Sequence, residues 1–128
     1  MRQIEDEVVQ HHQDLARWLG TEAEDGLLDT FRQMHRPDFS LVTTDGVRLD
    51  LPALTTALAG ARNAVPGLTI GIEQYELVIR TDQVVVCRFL ERHSVGAPRR
   101  VTAVLTPDES ARYGVRWLSV HETAAGLG

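Results

Sequence analysis

The sequence predicts an α+β fold in which three N-terminal helices pack on one side of a curved antiparallel sheet. Residues 4–65 carry apolar side chains at helical spacing in three segments, with one short hairpin signal between the second and the third. Residues 68–123 instead alternate apolar and polar side chains in four long segments separated by turn residues. With 128 residues, 43% hydrophobic and 24% charged, the chain is predicted to form one domain over residues 1–128.

The ends of the first two helices are predicted from their flanking residues. The first helix covers residues 4–19 and ends at Gly20. Residues 21–24 then have the pattern of a capping box, which predicts the start of a second helix that Pro37 ends. This interpretation places His35 in the last turn of the second helix.

A short hairpin and a third helix follow. Residues 39–43 and 47–49 are apolar segments on either side of Asp45-Gly46, which is a hairpin turn signal. Asp50 and Pro52 are typical of a helix N-terminus, and Pro66-Gly67 is predicted to end this third helix.

The rest of the chain is predicted to be an antiparallel meander. The alternation in residues 68–79 changes phase near Glu73 and Gln74, which indicates a β-bulge. The following strands are predicted over residues 84–93, 99–106 and 115–123.

This order of elements resembles the nuclear transport factor 2-like superfamily, a cone-shaped, cystatin-like α+β fold with a pocket between helices and sheet. Residues 31–39 (FRQMHRPDF) and 117–123 (WLSVHET) resemble its polyketide-cyclase-like and calcium/calmodulin-kinase-association-like branches, which contain many uncharacterised proteins. Since the superfamily includes isomerases, dehydratases, cyclases and binding modules, the resemblance implies a pocket but no particular reaction. The acid and base positions of its ketosteroid-isomerase-like members correspond here to Thr43 and Leu105, neither of which exchanges a proton near neutral pH.

The predicted strand register selects the face that lines the pocket. Pairing residues 84–93 with 99–106 across a turn at Gly96 places Leu90 opposite Ala103 and continues to Val120. Two arginines and one glutamate interrupt this otherwise apolar face. The predicted ligand-binding residues are Arg88, Arg92, Glu122, Tyr75, Leu90, Leu105, Val120 and Trp18. Either Arg92 and Glu122 form a salt bridge that closes the cone, or the arginines bind a carboxylate ligand.

The other face of the meander is predicted to be an association surface. A homodimer interface is expected at Phe89, Val104, Trp117 and His121, because an exposed aromatic and aliphatic patch commonly marks association. The resemblance also implies dimerisation through the sheet. His93, His121 and Glu91 share this face but lack close ligand spacing, so no metal site is predicted.

The amino-acid composition limits the classes of partner and of chemistry that we expect for this protein. Thirteen basic residues against eighteen acidic ones leave a net charge of −5, which argues against a nucleic-acid partner. All the basic residues are arginines, so Schiff-base chemistry is excluded. The single cysteine, Cys87, is predicted to be a packed apolar residue. The absence of a long apolar run argues against a membrane segment. We therefore expect a cytoplasmic protein without a cofactor.

Three functions are consistent with these patterns. The first is a small-molecule-binding domain that holds a polar or acidic organic ligand, such as a carboxylate, against Arg88 and Arg92. The second is a cyclase- or isomerase-type enzyme in which Glu122 and a histidine of the first helix act as acid and base. The third is a dimeric interaction module with a vestigial pocket. Whether the protein is an enzyme is left open.

Overall fold

The computed structural model describes residues 3–126 and confirms the predicted α+β architecture, with three helices packed on a curved six-stranded sheet. The elements in chain order are α1 (Gln3–Gly20), α2 (Asp25–Gln33), β1 (His35–Val42), β2 (Arg48–Asp50), α3 (Leu51–Ala59), β3 (Ile70–Arg80), β4 (Val85–His93), β5 (Arg99–Pro107) and β6 (Val115–Ala124). The strand order in the sheet is β2-β1-β6-β5-β4-β3, in which the pairing of β1 with β6 is parallel. The four-stranded meander β3–β6 is as predicted.

The predicted end of α1 is confirmed, whereas the capping box is wrong. A Cβ atom on Gly20 would lie 2.8 Å from the backbone nitrogen of Leu68, so the close approach of these two backbones requires glycine. The Thr21 hydroxyl donates to the Arg17 carbonyl at 2.7 Å instead of capping α2. The N-cap residue of α2 is Glu24, which makes no side-chain capping hydrogen bond.

The second helix ends earlier than predicted, which moves His35 into the sheet. The helix stops at Gln33, and the Trp117 backbone N–H donates to the Met34 carbonyl at 2.9 Å. His35 is then the first residue of β1, paired with Trp117 of β6. Pairing with a distant strand therefore overrides the local helical pattern at this position.

The third helix begins as predicted and ends early. The Asp50 side chain accepts a hydrogen bond from the Ala53 N–H at 2.9 Å, as expected of an N-cap residue. The helix ends at Ala59, and residues 60–67 form turns. Backbone N–H groups of this segment donate to the last carbonyls of α1, including Val65 to Leu19 at 2.9 Å. These bonds fix the position of the α1 C-terminus.

The predicted bulge in β3 is confirmed. Gln74 has a φ of 54°, and the pairing with β4 shifts between Glu73 and Glu76. Such a bulge bends a strand and increases its twist. It therefore contributes to the curvature of the sheet around the helices.

The predicted register of β4 with β5 is wrong. Phe89 lies opposite Val101 and Cys87 lies opposite Ala103, whereas the prediction placed Leu90 opposite Ala103. Glu91 lies opposite Arg99, so the pairing is centred on Val95 and not on Gly96. Because successive residues of a strand point to opposite faces, this difference exchanges the two faces of β4.

The predicted register of β6 is correct over part of its length. Ala103 pairs with Val120 and Val101 pairs with Glu122, as predicted. Between Val104 and Leu105 the pairing shifts by one residue, so that Leu105 lies opposite Trp117. The shift brings Trp117 to the same face as Val120 and Glu122.

The apolar core has two parts. The larger part lies between α1 and the sheet and includes the fully buried Leu105 and Trp117. The smaller part lies among the three helices and includes Trp18, whose indole N–H donates to the Leu58 carbonyl at 2.7 Å. Within residues 3–126, no helix is both long and apolar enough to cross a membrane.

Candidate functional site

An inner cavity lies between the helices and the concave face of the sheet. Its walls are mostly apolar and aromatic, with a few titratable side chains. The residues lining it are His11, His12, Leu15, Phe31, His35, Phe39, Leu41, Leu54, Leu58, Phe89, Glu91, Val101, Trp117, Val120 and Glu122. The centre of a water-sized sphere can occupy about 60 Å³ of it. One water needs only about 10–15 Å³ on this measure, so the cavity has room for part of a small organic molecule.

A wider and more open space, which we call the vestibule, adjoins the inner cavity. The centre of a water-sized sphere can occupy about 460 Å³ of the vestibule. Six residues line both spaces, namely Leu15, Leu41, Leu54, Leu58, Glu91 and Glu122. Both glutamates therefore lie where a molecule would pass from the vestibule into the inner cavity.

Glu91 is buried and is held by two histidines. Its Oε2 atom lies 3.1 Å from Nε2 of His12, and its Oε1 atom lies 2.5 Å from Nε2 of His93. Burial alone would raise the pKa of Glu91, but the hydrogen bonds from the two histidines outweigh it and hold that pKa well below its usual range. Glu91 is therefore ionised at neutral pH.

His12 faces a hydrogen-bond acceptor at each ring nitrogen. Its Nδ1 atom donates to the Val8 carbonyl at 2.7 Å, and Nε2 faces the Glu91 carboxylate. Burial alone would lower the pKa of His12, but the hydrogen bond and charge of Glu91, with the bond to Val8, raise it. These two acceptors favour the doubly protonated ring, which forms a buried ion pair with Glu91.

Glu122 is buried on β6 and is less constrained than Glu91. The only hydrogen bond that its side chain makes within residues 3–126 is a long one, from Nη1 of Arg99 to Oε1 at 3.5 Å. Burial raises the pKa of Glu122, and the negative charge of Glu91 raises it further, against the opposing effects of Arg99 and His12. The two glutamates thus have pKa values displaced in opposite directions by their surroundings.

His11 and His35 form a second, uncharged pair in the wall. Nδ1 of His35 donates to the Phe31 carbonyl at 2.8 Å, and its Nε2 lies 3.0 Å from Nε2 of His11. Burial lowers the pKa of His35 to about 4 and that of His11 well below its usual value. His35 therefore accepts a hydrogen bond from His11. The remaining ring nitrogen of His11, Nδ1, is buried and has no partner among the described residues.

An ion-pair cluster holds α1 against the sheet at this site. Arg112, in the loop between β5 and β6, donates to both carboxylate oxygens of Glu7 at 2.9 and 3.0 Å and to Asp14 at 2.9 Å. The Trp117 indole N–H also donates to Glu7, at 2.9 Å. Trp117 stacks on His11 with ring centroids 4.1 Å apart. The cluster therefore fixes the helix that carries both cavity histidines of α1.

The two arginines predicted to line the pocket lie outside it. Arg88 and Arg92 are exposed on the opposite face of β4, as a consequence of the corrected register. Arg88 makes two hydrogen bonds to Glu76, and Arg92 makes two to Glu73. The predicted bridge from Arg92 to Glu122 is not formed, and neither arginine lines the inner cavity or the vestibule.

Of the other predicted ligand-binding residues, Val120 and Glu122 line the inner cavity. Trp18 and Leu105 are buried in the core instead, and Tyr75 packs against the core from β3. Leu90 is buried on the face opposite to Glu91.

Two of the four residues predicted to form the dimer interface also lie on the other face of the sheet. Phe89 and Trp117 are buried and line the inner cavity, so they cannot form a surface between two copies. Val104 is half-buried and His121 is exposed, which leaves these two on the outer face. The homodimer itself stays a prediction.

The two histidines and the glutamate predicted to share one face of the meander do not all lie on that face. Glu91 contacts His93, but His121 is exposed on the other side of the sheet, so these three side chains do not converge. Cys87 is fully buried, and burial raises the pKa of its thiol to about 12, in keeping with a packed apolar residue. Thr43 lines the vestibule, whereas Leu105 lies in the core.

Sequence reasoning missed Glu91, His93 and His35 as site residues. For Glu91 and His93 a signal exists in the composition of β4. One phase of this strand carries Val85, Cys87 and Phe89, while the other carries two arginines. Because buried charges are costly, assigning the two arginines to the solvent-exposed face would have predicted correctly that the face with Glu91 and His93 points towards the helices. For His35, nothing local reveals that the helix ends before it.

Solved structures share this arrangement of elements. The chain is similar to a nuclear transport factor 2-like protein of unknown function from Pseudomonas aeruginosa, with 27% identity and a TM-score of 0.84 over 97% of this chain and 99% of that one. It is also similar to a proposed ketosteroid isomerase from Parabacteroides distasonis, with 9% identity and a TM-score of 0.64 over 94% of this chain and 86% of the other. A proposed calcium/calmodulin-dependent kinase II association domain from Exiguobacterium sibiricum gives 13% identity and a TM-score of 0.59 over 98% and 93%.

At the two lower identities the likeness concerns the fold alone. No protein-family model matches the sequence, and no curated protein matches it. Assignment to the polyketide-cyclase-like or association-like branch stays a prediction. The order of helices and strands, the cavity between them and the similarity to nuclear transport factor 2-like structures agree with the resemblance seen in the sequence, and the chain is a member of the nuclear transport factor 2-like superfamily.

Proposed function

We propose that this protein is an acid/base enzyme of the isomerase or cyclase type that acts on a small, largely apolar carbonyl compound. The supporting observation is the pair of glutamates in one cavity wall, of which Glu91 is held ionised and Glu122 has a raised pKa. Carboxyl groups with opposite pKa displacements in one pocket are a common basis for acid/base assignments.

In this proposal Glu122 is the catalytic residue. Its Oε2 atom makes no hydrogen bond to residues 3–126, so it is free to contact a substrate. As a carboxylate, it removes a proton from the carbon next to the carbonyl, and the C–H electron pair moves to form the enolate. The same group then returns the proton to that carbon or to a conjugated one. A raised pKa makes Glu122 a stronger base than an exposed glutamate.

Glu91 and His12 act through Glu122 in this scheme. Both oxygens of Glu91 are engaged by histidines, and both nitrogens of His12 are engaged, so neither group is free to exchange a proton with a substrate. The charge of Glu91 raises the pKa of Glu122, while the cations of His12 and Arg99 offset negative charge that develops on the substrate. We therefore assign Glu91 and His12 as positioning residues.

The apolar walls define the substrate class. Four leucines line both spaces, and Phe89, Val101 and Trp117 line the inner one. Such walls bind an apolar body and exclude water, which strengthens electrostatic interactions at the glutamates. A role in ligand binding without turnover would use the same walls, and the two roles differ in whether Glu122 transfers a proton.

A proton-abstraction probe tests the proposal without knowledge of the natural substrate. In 5-nitrobenzisoxazole a base removes the C3 proton, the electron pair forms a nitrile and the N–O bond breaks to give a coloured phenolate. We expect saturable conversion faster than in buffer, a pH–rate profile with an apparent pKa above that of an ordinary glutamate, and a loss of at least about 100-fold in Glu122→Gln.

Glu76→Gln is the matched control, because Glu76 is an exposed glutamate on the other face, paired with Arg88. It should convert the probe at the wild-type rate. Equal rates in the wild-type protein and folded Glu122→Gln, or no saturable rate above buffer, would show that the cavity does not act as a base and would overturn the proposal.

A further inference from the structure

One arginine differs from the others in its position. Arg99 is the first residue of β5 and lies opposite Glu91 of β4. It lines the vestibule, and it is the sole arginine among residues 3–126 that lines either the vestibule or the inner cavity. Its side chain is 35% exposed, so a molecule in the vestibule can reach the guanidinium.

The pairing of Arg99 is also weak. Its contact with Glu122 is a single hydrogen bond at 3.5 Å. Arg112, in contrast, makes two bonds to Glu7 at 2.9 and 3.0 Å. The guanidinium of Arg99 therefore keeps donors that a planar pair of oxygens could engage from the vestibule.

The charged groups around Arg99 leave its guanidinium only partly paired. Five ionisable residues line the vestibule, namely Asp45, Glu91, His93, Arg99 and Glu122. Glu91 is already paired with His12 and His93. Asp45 lies in the exposed turn between β1 and β2. Glu122 contacts Arg99 through one long hydrogen bond, so it leaves most of the guanidinium donors unengaged.

We propose that Arg99 binds a carboxylate group of the ligand, so that the natural ligand is an apolar molecule with one carboxylate at the vestibule end. The four leucines common to both spaces contact its apolar body, and Glu122 lies between that body and Arg99. This proposal deepens the acid/base function above by naming the substrate class.

A matched pair of probes isolates the charge. 1-Naphthoate and 1-naphthalenemethanol have the same apolar body and differ in the carboxylate. Titration calorimetry at pH 7 should give at least about 10-fold tighter binding of 1-naphthoate to the wild-type protein. Arg99→Met should reduce that preference to less than about twofold, and Arg99→Lys, which keeps the charge and loses the planar fork, should retain part of it.

Arg100→Met provides the control. Arg100 is the neighbouring residue in the chain, is exposed on the opposite face and donates to Gln74. This variant should keep the wild-type preference. Equal binding of the two probes by the wild-type protein, or an unchanged preference in folded Arg99→Met or Arg99→Lys, would overturn the inference. Tighter binding of 1-naphthyl phosphate than of 1-naphthoate would overturn its assignment of a carboxylate.

Binding of the naphthalene probes and conversion of the benzisoxazole probe test the two proposals separately. These measurements need no turnover, so they can fail while conversion of the benzisoxazole probe succeeds, and the reverse.

Discussion

Glu91 and Glu122 have the same side chain in the same wall but different proton affinities. Glu91 receives two histidine hydrogen bonds, whereas Glu122 receives one long bond from a half-buried arginine. In a poorly solvated wall, the number of donors decides whether a carboxylate is stable. The contrast arises from the elements that face each residue, because α1 presents His12 to β4 and offers no such donor to β6.

The histidines predict how stability depends on pH. His11 and His35 have pKa values lowered by burial, so below about pH 6.5 the unfolded chain binds protons that the folded chain does not. Each of them then costs up to about 1.4 kcal/mol per pH unit as the pH falls, for His35 down to about pH 4. We expect urea unfolding to give a free energy of unfolding that decreases steadily from pH 6.5 to pH 5.

The shifted pKa values of His12 and Glu91 affect the free energy of unfolding above and below this pH range, respectively. The raised pKa of His12 gives a stabilisation that is complete below about pH 6.5 and is lost as the pH rises through the folded-state value. The lowered pKa of Glu91 gives one that is present above about pH 4.5 and is lost on further acidification. Stability should thus be greatest near pH 6.5. His35→Gln should reduce the acid slope while exposed His121→Gln leaves it unchanged, and a flat profile between pH 5 and 7 would contradict these assignments.

Helix α1 depends on charge as well as on apolar packing. Glu7 is completely buried and is neutralised by Arg112, which reaches it from the loop between β5 and β6. The connection joins residues that are 105 positions apart in the chain. Because Trp117 shares Glu7 and stacks on His11, the same contacts align the cavity histidines.

Removing Arg112 should therefore have a large effect. Arg112→Met leaves Glu7 buried without a cation, and we expect it to lower the free energy of unfolding by about 3 kcal/mol in urea melts at pH 7. Arg17→Met, which breaks the exposed pair with Glu24, should change stability by no more than about 1 kcal/mol. Similar losses in the two variants would show that the cluster contributes no more than a surface ion pair.

At the scale of the whole molecule, the sheet has one face against the helices and one available for association. The outer face retains Val104 and His121 from the predicted interface. The free edge strand β3 also carries Leu77, Val78 and Ile79, which are 43–50% exposed. An apolar surface of this kind on a sheet is typical of an association site.

The predicted homodimer can be tested on this face. Light scattering after size exclusion should give twice the 14.2 kDa chain mass for the wild-type protein. Val104→Glu should shift it towards the monomer, because a charge would be buried at the interface. Val47→Glu, a change at an exposed site in the turn between β1 and β2, should not. A monomeric wild-type protein, or an unaffected Val104→Glu dimer, would contradict the predicted interface.

Local sequence signals were sufficient for much of the fold. Asp50 caps α3, Asp45-Gly46 turns between β1 and β2, and the phase change at Gln74 marks the bulge. Each of these features depends on backbone geometry that a few adjacent residues decide. The sequence also singled out Glu122 as the weak catalytic candidate, since its pairing with Val101 follows from the alternation along β5 and β6.

The sequence by itself determined the order of elements, the end of α1, the start of α3 and the apolar face of β5. Only the tertiary structure decided which arginine lines the site, because the register across residues 94–98 depends on how the loop closes and on what packs on each face. It also decided that Glu91, His12 and His93 meet, since α1 lies about 80 residues before β4 and the helix position is set by distant contacts such as Arg112 with Glu7. A proton affinity depends on its neighbours in space, which the order of residues alone does not specify.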